Sequence, residues 1–422
     1  MFNVLTSYLD NGLKILLKKI PEQKTISCGV WINQGSKNED STNNGISHLV
    51  EHLMFKTKSK NSSLSMYENL EELLSFGAQY NGTTTKDYTC FYIEGLSKYF
   101  NKIIEVLSYM VIDKEEITEE VLENEKQIVL REAESYLTSS SQIGERLGQA
   151  LWGDYSYGQL TIGKLDIIKR ITTIMVNNLI KTAYVPGNST IVVVGNLDYD
   201  DTLDKIVEYF NKWNDNLYTN NFKAILQDNP GIYLNDNFVG DRSTIGIGFS
   251  SYSAKDSRCR YVDILKNILI KPGSNLFKEI REKRGLVYSL NGFNTPLSTT
   301  GITGLSFSAN NDNVCEIIKY IIDEISTLKN GKIIEEMLEK MKRIKETSLI
   351  YGLESTSSQL KTIGSNAICG SIFLLEEELR ELNKITIDDI KDVANDLFST
   401  EKLCMAVLGR CDIDNIIPLL EF

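Results

Sequence analysis

The sequence predicts an α+β fold made of two similar halves, each a mainly antiparallel sheet packed with helices. Strand-like and long helical segments mix without the strict strand–helix–strand alternation of a parallel sheet. An internal repeat also relates the middle of the chain to its end. The chain has 422 residues, 42% of them hydrophobic and 24% charged. This composition is typical of a soluble globular protein, and the length predicts two to four domains.

The repeat has a tight and a loose part. Residues 171–198, ITTIMVNNLIKTAYVPGNSTIVVVGNLD, align without a gap with residues 385–412, ITIDDIKDVANDLFSTEKLCMAVLGRCD. Each copy reads as a helix, a turn, an apolar strand and a glycine. More loosely, residues 26–41 match residues 243–257 as a strand followed by a polar loop. These matches predict two homologous halves.

A polar stretch separates the halves. It predicts a first half at 1–215, a linker at 216–230 and a second half at 231–422. Both histidines of the chain lie in the first half. The second half offers RYVDILKNILIK, residues 260–271, with no metal-binding pattern. We therefore expect a metal site in the first half alone.

Charge and hydropathy exclude some partners. The net charge of −12 argues against nucleic acid. No run of about 18 apolar residues is present, so we expect no membrane span. The N-terminal sequence lacks the pattern of a secretory signal or transit peptide, which makes a cytoplasmic location the expectation.

The segment GISHLVEHLMF, residues 45–55, contains both histidines. The pattern predicts a helix that begins at Asn43 or Asn44. At about 100° per residue, its apolar residues share one face. His48 lies on the opposite face, together with Glu51 and His52.

These three residues have the chemistry of a metallopeptidase site. Imidazoles one helical turn apart can bind one metal ion from the same side. Glu51 can then take a proton from a metal-bound water. The order His-x-x-Glu-His is that of an inverted zincin. Nitrogen ligands favour zinc, with manganese or cobalt as alternatives.

A third ligand is needed, because two histidines rarely hold a catalytic zinc alone. Residues 119–137 read as a long helix, on which Glu125 and Glu132 stand seven positions apart and nearly on one face. One can bind the metal while the other orients the site. The residues alone leave open which glutamate does which.

These motifs resemble the insulinase/pitrilysin family of zinc metallopeptidases, over nearly the whole chain. GSKNEDSTNNGISHLVEHLMFK is similar to the family's metal-binding signature, and ENEKQIVLREAE is similar to its downstream acidic segment. The resemblance implies one zinc ion per chain, bound by His48, His52 and Glu132. It also implies Glu51 as general base and Glu125 as an auxiliary acidic group.

A second motif, LFKEIREKRGLVYSL at residues 276–290, resembles the family's arginine-and-tyrosine segment. It implies that Arg281 and Tyr288 reach the substrate from the second half, where they can stabilise the developing oxyanion. Without the resemblance, Arg281 would read as a surface charge and Tyr288 as a core aromatic.

A third segment, YNGTTTKDYTCFYIEGL at residues 80–96, reads as a strand. It is similar to the family's edge strand, which pairs with the substrate backbone, and this implies Asn81 and Gly82 as substrate-binding residues. The family more often has alanine at the position of Gly82. The alternative is an ordinary strand of the sheet.

The resemblance implies a zinc endopeptidase that cuts peptides, or unfolded or precursor segments, in a closed chamber. Two copies of the chain would enclose the chamber as a homodimer, with a heterodimer of related chains as the alternative. Two other functions compete with this one. One is a non-catalytic core or scaffold subunit of the same fold, and the other is a maturation protease active only with a partner chain.

Overall fold

The protein is described here from a computed structural model. The described residues are 4–112, 114–214, 230–238, 240–371 and 374–420. The predicted linker at 216–230 lies outside these residues except for Pro230. Within them, every helix is too short or too polar to cross a lipid bilayer.

The strands and helices are numbered in chain order. The strands are β1 Leu5–Tyr8, β2 Lys14–Lys19, β3 Thr25–Ile32, β4 Gln79–Thr84, β5 Thr89–Leu96, β6 Ser189–Gly195, β7 Ile232–Asn235, β8 Arg242–Ser251, β9 Val287–Pro296, β10 Gly301–Asn310 and β11 Leu403–Leu408. The helices are α1 Ile46–Met54, α2 Met66–Ser75, α3 Phe100–Val111, α4 Glu119–Leu137, α5 Ile143–Trp152, α6 Leu165–Ile168, α7 Thr173–Ala183, α8 Tyr199–Phe210, α9 Cys259–Ile270, α10 Asn275–Phe277, α11 Val314–Lys329, α12 Glu335–Tyr351, α13 Thr356–Ile368, α14 Leu375–Lys384, α15 Ile387–Leu397 and α16 Ile413–Ile416.

Each of two compact units contains one sheet. In the first unit the strand order is β1-β2-β6-β3-β5-β4, and only β2 and β6 run parallel. In the second unit the order is β7-β11-β8-β10-β9, and only β7 and β11 run parallel. Apart from β1, the two orders correspond strand for strand. The predicted mainly antiparallel sheets and similar halves are therefore confirmed.

The repeat explains part of this correspondence. Helices α7 and α15 begin and end at aligned positions. At both N-caps a threonine, Thr172 or Thr386, accepts a hydrogen bond through its side chain from the main-chain N–H of the third helical residue. Aligned glycines mark the ends of the strands that follow, since Gly195 is the last residue of β6 and Gly409 comes directly after β11. Gly195 has a φ of 151° and Gly409 a φ of 142°. Because L side chains rarely adopt such angles, both positions favour glycine.

The units are not contiguous in sequence. The first comprises Met1–Glu134, Leu160–Lys223 and Ile350–Leu374, and the remainder forms the second. The predicted division into 1–215 and 231–422 differs in two segments. Ser135–Gln159 belongs to the second unit instead of the first, and Ile350–Leu374 belongs to the first instead of the second.

The exchanged segments cover the second face of each sheet. In the first unit, α13 packs on β3, where Gly364 lies so close to Trp31 that an added Cβ would be 2.3 Å from the indole ring. In the second unit, Leu147 of α5 packs on Gly246 of β8 in the same way. Apolar periodicity shows that a helix has a buried face, but it does not show which sheet the face covers.

Candidate metal centre

The helix that carries the histidines begins later than predicted. Its N-cap is Gly45, with a φ of 96°, and the prediction of Asn43 or Asn44 as the start is wrong. Asn43 instead accepts a hydrogen bond from the Asp40 main chain. The Asn44 amide donates to the Leu160 carbonyl and to a glutamate upstream. A left-handed backbone at the N-cap favours glycine over asparagine.

That glutamate is Glu39, and it caps α1. Its Oε2 accepts hydrogen bonds from Gly45 N at 2.7 Å and Asn44 Nδ2 at 2.9 Å, while its Oε1 accepts one from Ser47 N at 2.8 Å. The side chain is only 4% exposed. Burial raises the pKa of Glu39, and the donors oppose that rise. An anion here suits the partial positive charge of a helix N-terminus.

A lysine amine lies at the other end of α1. Lys114 Nζ donates to the main-chain oxygens of Met54 and Thr57. These bonds satisfy carbonyls at the end of the helix. Burial lowers the pKa of Lys114 to about 7, so the amine is only partly charged at neutral pH. Sequence reasoning missed both Glu39 and Lys114, since each lies outside the helix it stabilises.

Helix α1 presents the predicted two faces. Its apolar residues Ile46, Leu49, Val50 and Leu53 are at most 3% exposed. The side chains of His48 and His52 on the other face are 15% and 20% exposed. The rings are 4.8 Å apart at their centroids and are inclined by 76°.

Glu132 of α4 completes a set of three donors. Its Oε2 is 3.9 Å from His48 Nε2 and 3.4 Å from His52 Nε2, and all three donor atoms lie within 4.8 Å of one another. A tetrahedral zinc site with bonds of about 2.0–2.2 Å has its donor atoms about 3.3–3.6 Å apart. Small adjustments therefore bring these donors to zinc-binding distances.

The protonation state of His48 suits this task. Burial, together with neighbouring His52, lowers the pKa of His48 to about 4. At neutral pH the ring is uncharged, so one ring nitrogen has a lone pair free to bind a metal ion.

Glu125 lies on the opposite side of His52. Its Oε2 is 3.6 Å from His52 Nδ1, and its Oε1 is 3.5 Å from Lys56 Nζ. Its side chain is 6% exposed, against 47% for Glu132. The sequence alone did not decide whether Glu125 or Glu132 binds the metal. In the structure, Glu132 lies on the Nε2 side of both histidine rings. Glu125 lies where a carboxylate orients a metal-binding imidazole.

Glu51 is the remaining acid of this face, and it is 8% exposed. Its Oε2 accepts a hydrogen bond of 2.6 Å from Thr84 Oγ1. Its Oε1 lies against Gly82, where an added Cβ would be 2.6 Å away. Burial raises the pKa of Glu51, while the Thr84 hydrogen bond and the nearby His52 act in the opposite direction. A raised pKa suits a group that accepts and returns a proton.

Gly82 and Thr84 belong to β4. Residues 80–96 form two strands rather than the predicted single strand, because a turn at 85–88 separates β4 from β5. β4 is the last strand of its sheet, so one edge of its backbone is unpaired in the sheet, as predicted for an edge strand. Asn81 is exposed, and its Oδ1 accepts a hydrogen bond from Gly82 N.

Arg281 and Tyr288 lie in the second unit. Arg281 is in a π-helical turn, Lys278–Lys283, and its Nη1 donates to the main-chain oxygens of Val287 and Tyr288. Tyr288 is 49% exposed, and the guanidinium carbon of Arg242 lies 3.8 Å from the centroid of its ring. The tyrosine is therefore not a core aromatic. Substrate contact by either residue stays a prediction.

Two family models match the chain. Residues 14–164 match the insulinase family, peptidase family M16, and residues 170–372 match the peptidase M16 inactive domain. Together they span most of the sequence, and the chain belongs to the insulinase (M16) family. Its first half, with the two histidines and Glu132, corresponds to the peptidase model, while the other model covers most of the histidine-free remainder.

Named relatives agree with this assignment. The chain is 28% identical to an uncharacterized zinc protease of Bacillus subtilis, over 95% of this chain and 97% of the relative. It is 24% identical to the beta subunit of the mitochondrial-processing peptidase of Saccharomyces cerevisiae, over 96% and 91%. In fold it matches a protease from Helicobacter pylori with a TM-score of 0.89, at 20% identity and over 97% and 100%. The two sequence relatives support a peptidase function in general, and the structural match supports the fold.

Proposed function

We propose that the protein is a zinc-dependent endopeptidase in which His48, His52 and Glu132 bind one zinc ion and Glu51 is the general base. One observation carries the proposal. Two imidazole nitrogens and a carboxylate oxygen converge within 4.8 Å, and a separate buried carboxylate occupies the same helix between the two histidines. A structural zinc site would have four protein ligands and no need of a neighbouring base.

The residues of the chain divide the chemistry among them. Bound zinc would supply a Lewis acid that polarises the scissile carbonyl and acidifies a water molecule. Glu51 takes a proton from the attacking water and delivers it to the leaving amine. Glu125 orients the His52 ring through its Nδ1 atom.

The substrate is an extended peptide or an unfolded segment. The unpaired edge of β4 can pair with a peptide backbone largely without regard to sequence, next to Asn81 and Gly82. Arg281 and Tyr288 bind the substrate or the tetrahedral intermediate. Two copies of the chain enclose the site in a closed chamber as a homodimer, and we expect a cytoplasmic location.

The test combines metal content with cleavage. Purified parent protein should bind one zinc ion per chain, elute as a dimer in size exclusion and cut an unstructured peptide library. Glu51→Gln should keep the zinc and lose cleavage, while His48→Ala should lose both. Glu51→Gln cleaving at the parental rate would contradict the base assignment.

The competing functions have their own signatures. A zinc-loaded parent that cuts only after a related chain is added would support the maturation protease that needs a partner. A protein that binds no zinc and cuts nothing would support the non-catalytic subunit.

A further inference from the structure

Thr84 is a half-buried hydroxyl in direct contact with Glu51. It occupies the last position of β4, two residues after Gly82 and therefore on the same face of the strand. Its Oγ1 lies 2.6 Å from Glu51 Oε2. This distance is typical of a charge-assisted O–H···O⁻ hydrogen bond.

Counting protons fixes the direction of this bond. Thr89, the register partner of Thr84 on β5, donates its hydroxyl proton to the Gln34 carbonyl at 2.9 Å. It therefore has no proton for Thr84, 3.4 Å away. The Thr84 proton can go to Thr89 or to Glu51, and the carboxylate is the nearer and stronger acceptor. Thr84 accordingly donates to Glu51.

The opposite side of the carboxylate is closed by backbone. At Gly82, an added Cβ would be 2.6 Å from Glu51 Oε1 and 2.9 Å from its Cγ. The carboxylate thus sits against the main chain of β4 through one oxygen and is hydrogen-bonded to the same strand through the other. Together these contacts restrict rotation of the Glu51 side chain.

We propose that Thr84 is a positioning residue that holds the Glu51 carboxylate in its working orientation through the bond to Oε2. This inference rests on the proposed function of Glu51 and deepens it. The Thr84 hydroxyl is hydrogen-bonded to Glu51 and lies 3.4 Å from Thr89, so it acts on the site through the Glu51 carboxylate. Its loss should lower kcat and leave KM and zinc binding unchanged.

The test compares three single variants of the full-length, zinc-loaded protein. Thr84→Val keeps the shape and removes the donor, whereas Thr84→Ser keeps the donor. Thr25→Val is the matched control, because Thr25 is a half-buried strand threonine of the same sheet whose hydroxyl faces Thr356 instead. We expect Thr84→Val to lower kcat by about 10- to 100-fold, with KM within about twofold of the parent. Thr84→Ser and Thr25→Val should both retain parental kcat.

Two further measurements separate this inference from the proposed function. In long incubations that detect the residual cleavage of Glu51→Gln, adding Thr84→Val should leave that residual rate unchanged, because the hydroxyl acts through the carboxylate. Crystal structures should show Glu51 fixed in the parent and in Thr84→Ser, but turned or in two conformers in Thr84→Val. A carboxylate that keeps its place in Thr84→Val, or an equal loss of kcat in Thr84→Ser, would overturn the inference. A parent without cleavage would overturn the proposed function instead, and the crystal structures would still test Thr84.

Discussion

Glu39 offers a sharp test of how the metal-binding helix is held. The change is Glu39→Ala, which removes the acceptor of two main-chain N–H groups, those of Gly45 and Ser47, and of the Asn44 amide. A hydrogen bond to a charged group contributes about 1.5–3 kcal/mol, and a buried donor left unpaired costs about 1–3 kcal/mol. Desolvation of the carboxylate offsets part of this. We expect the free energy of unfolding to fall by about 3 kcal/mol.

The control is the exposed cap of α2. There, Glu68 Oε2 accepts hydrogen bonds from the main chain and hydroxyl of Ser65, at the surface. Glu68→Ala should lower the free energy of unfolding much less than Glu39→Ala does, because water replaces the lost acceptor at the surface. Glu39→Gln keeps one acceptor oxygen, so its loss in free energy of unfolding should lie between the losses of the two alanine variants.

Urea unfolding of the metal-free proteins, followed by circular dichroism, measures these differences. Competition with a chromophoric chelator measures the zinc affinity. Because His48 and His52 both lie on α1, a loosened N-terminus should weaken zinc binding in Glu39→Ala and leave it unchanged in Glu68→Ala. If both variants lose the same small free energy and bind zinc as tightly as the parent, the account of Glu39 is wrong.

Two further predictions follow from individual charges. Glu132→Gln should abolish stoichiometric zinc binding. Glu125→Gln should keep one zinc ion per chain with an affinity about 10- to 100-fold weaker, as measured by chelator competition; the reverse order would contradict the assignment. In the second unit, burial alone would raise the pKa of Asp263, but Lys345 and Lys266 lower it overall. Asp263→Asn should therefore lower the free energy of unfolding by about 1–3 kcal/mol at pH 7. This stabilisation is present above about pH 4 and is lost as the pH falls through the folded-state pKa of Asp263. Urea unfolding at several pH values measures it, and a difference in free energy of unfolding between parent and variant that stays constant with pH would refute the prediction.

Local periodicity predicted much of the site. Helix α4 spans the predicted residues 119–137, and α1 has the predicted apolar and histidine faces. Periodicity left open which of Glu125 and Glu132 meets the histidines. The family resemblance implied Glu132, and it is the Oε2 of Glu132 that lies near the Nε2 atoms of both rings. Helix geometry links residues three, four and seven apart, and these are the spacings that a single sequence reveals.

The rest depended on contacts between distant segments. Thr84 meets Glu51 only because a sheet edge packs beside a helix, and no spacing in the sequence encodes that contact. The Gly45 N-cap was missed because asparagine is the commoner cap, whereas here a left-handed backbone and the Glu39 carboxylate take its place. The packing of α13 on the first sheet and of α5 on the second was missed for a similar reason. An amphipathic pattern shows which face of a helix is buried, but not which sheet that face packs against.

X-ray diffraction from zinc-loaded crystals at the zinc absorption edge tests the proposed metal site directly. We expect one anomalous peak per chain, about 2.0–2.2 Å from His48 Nε2, His52 Nε2 and a carboxylate oxygen of Glu132. The Glu51 carboxylate should lie beside the metal without binding it. A zinc ion bound by Glu125 in place of Glu132, or by the Nδ1 atoms of the histidines, or far from α1, would show that the proposed ligand set is wrong.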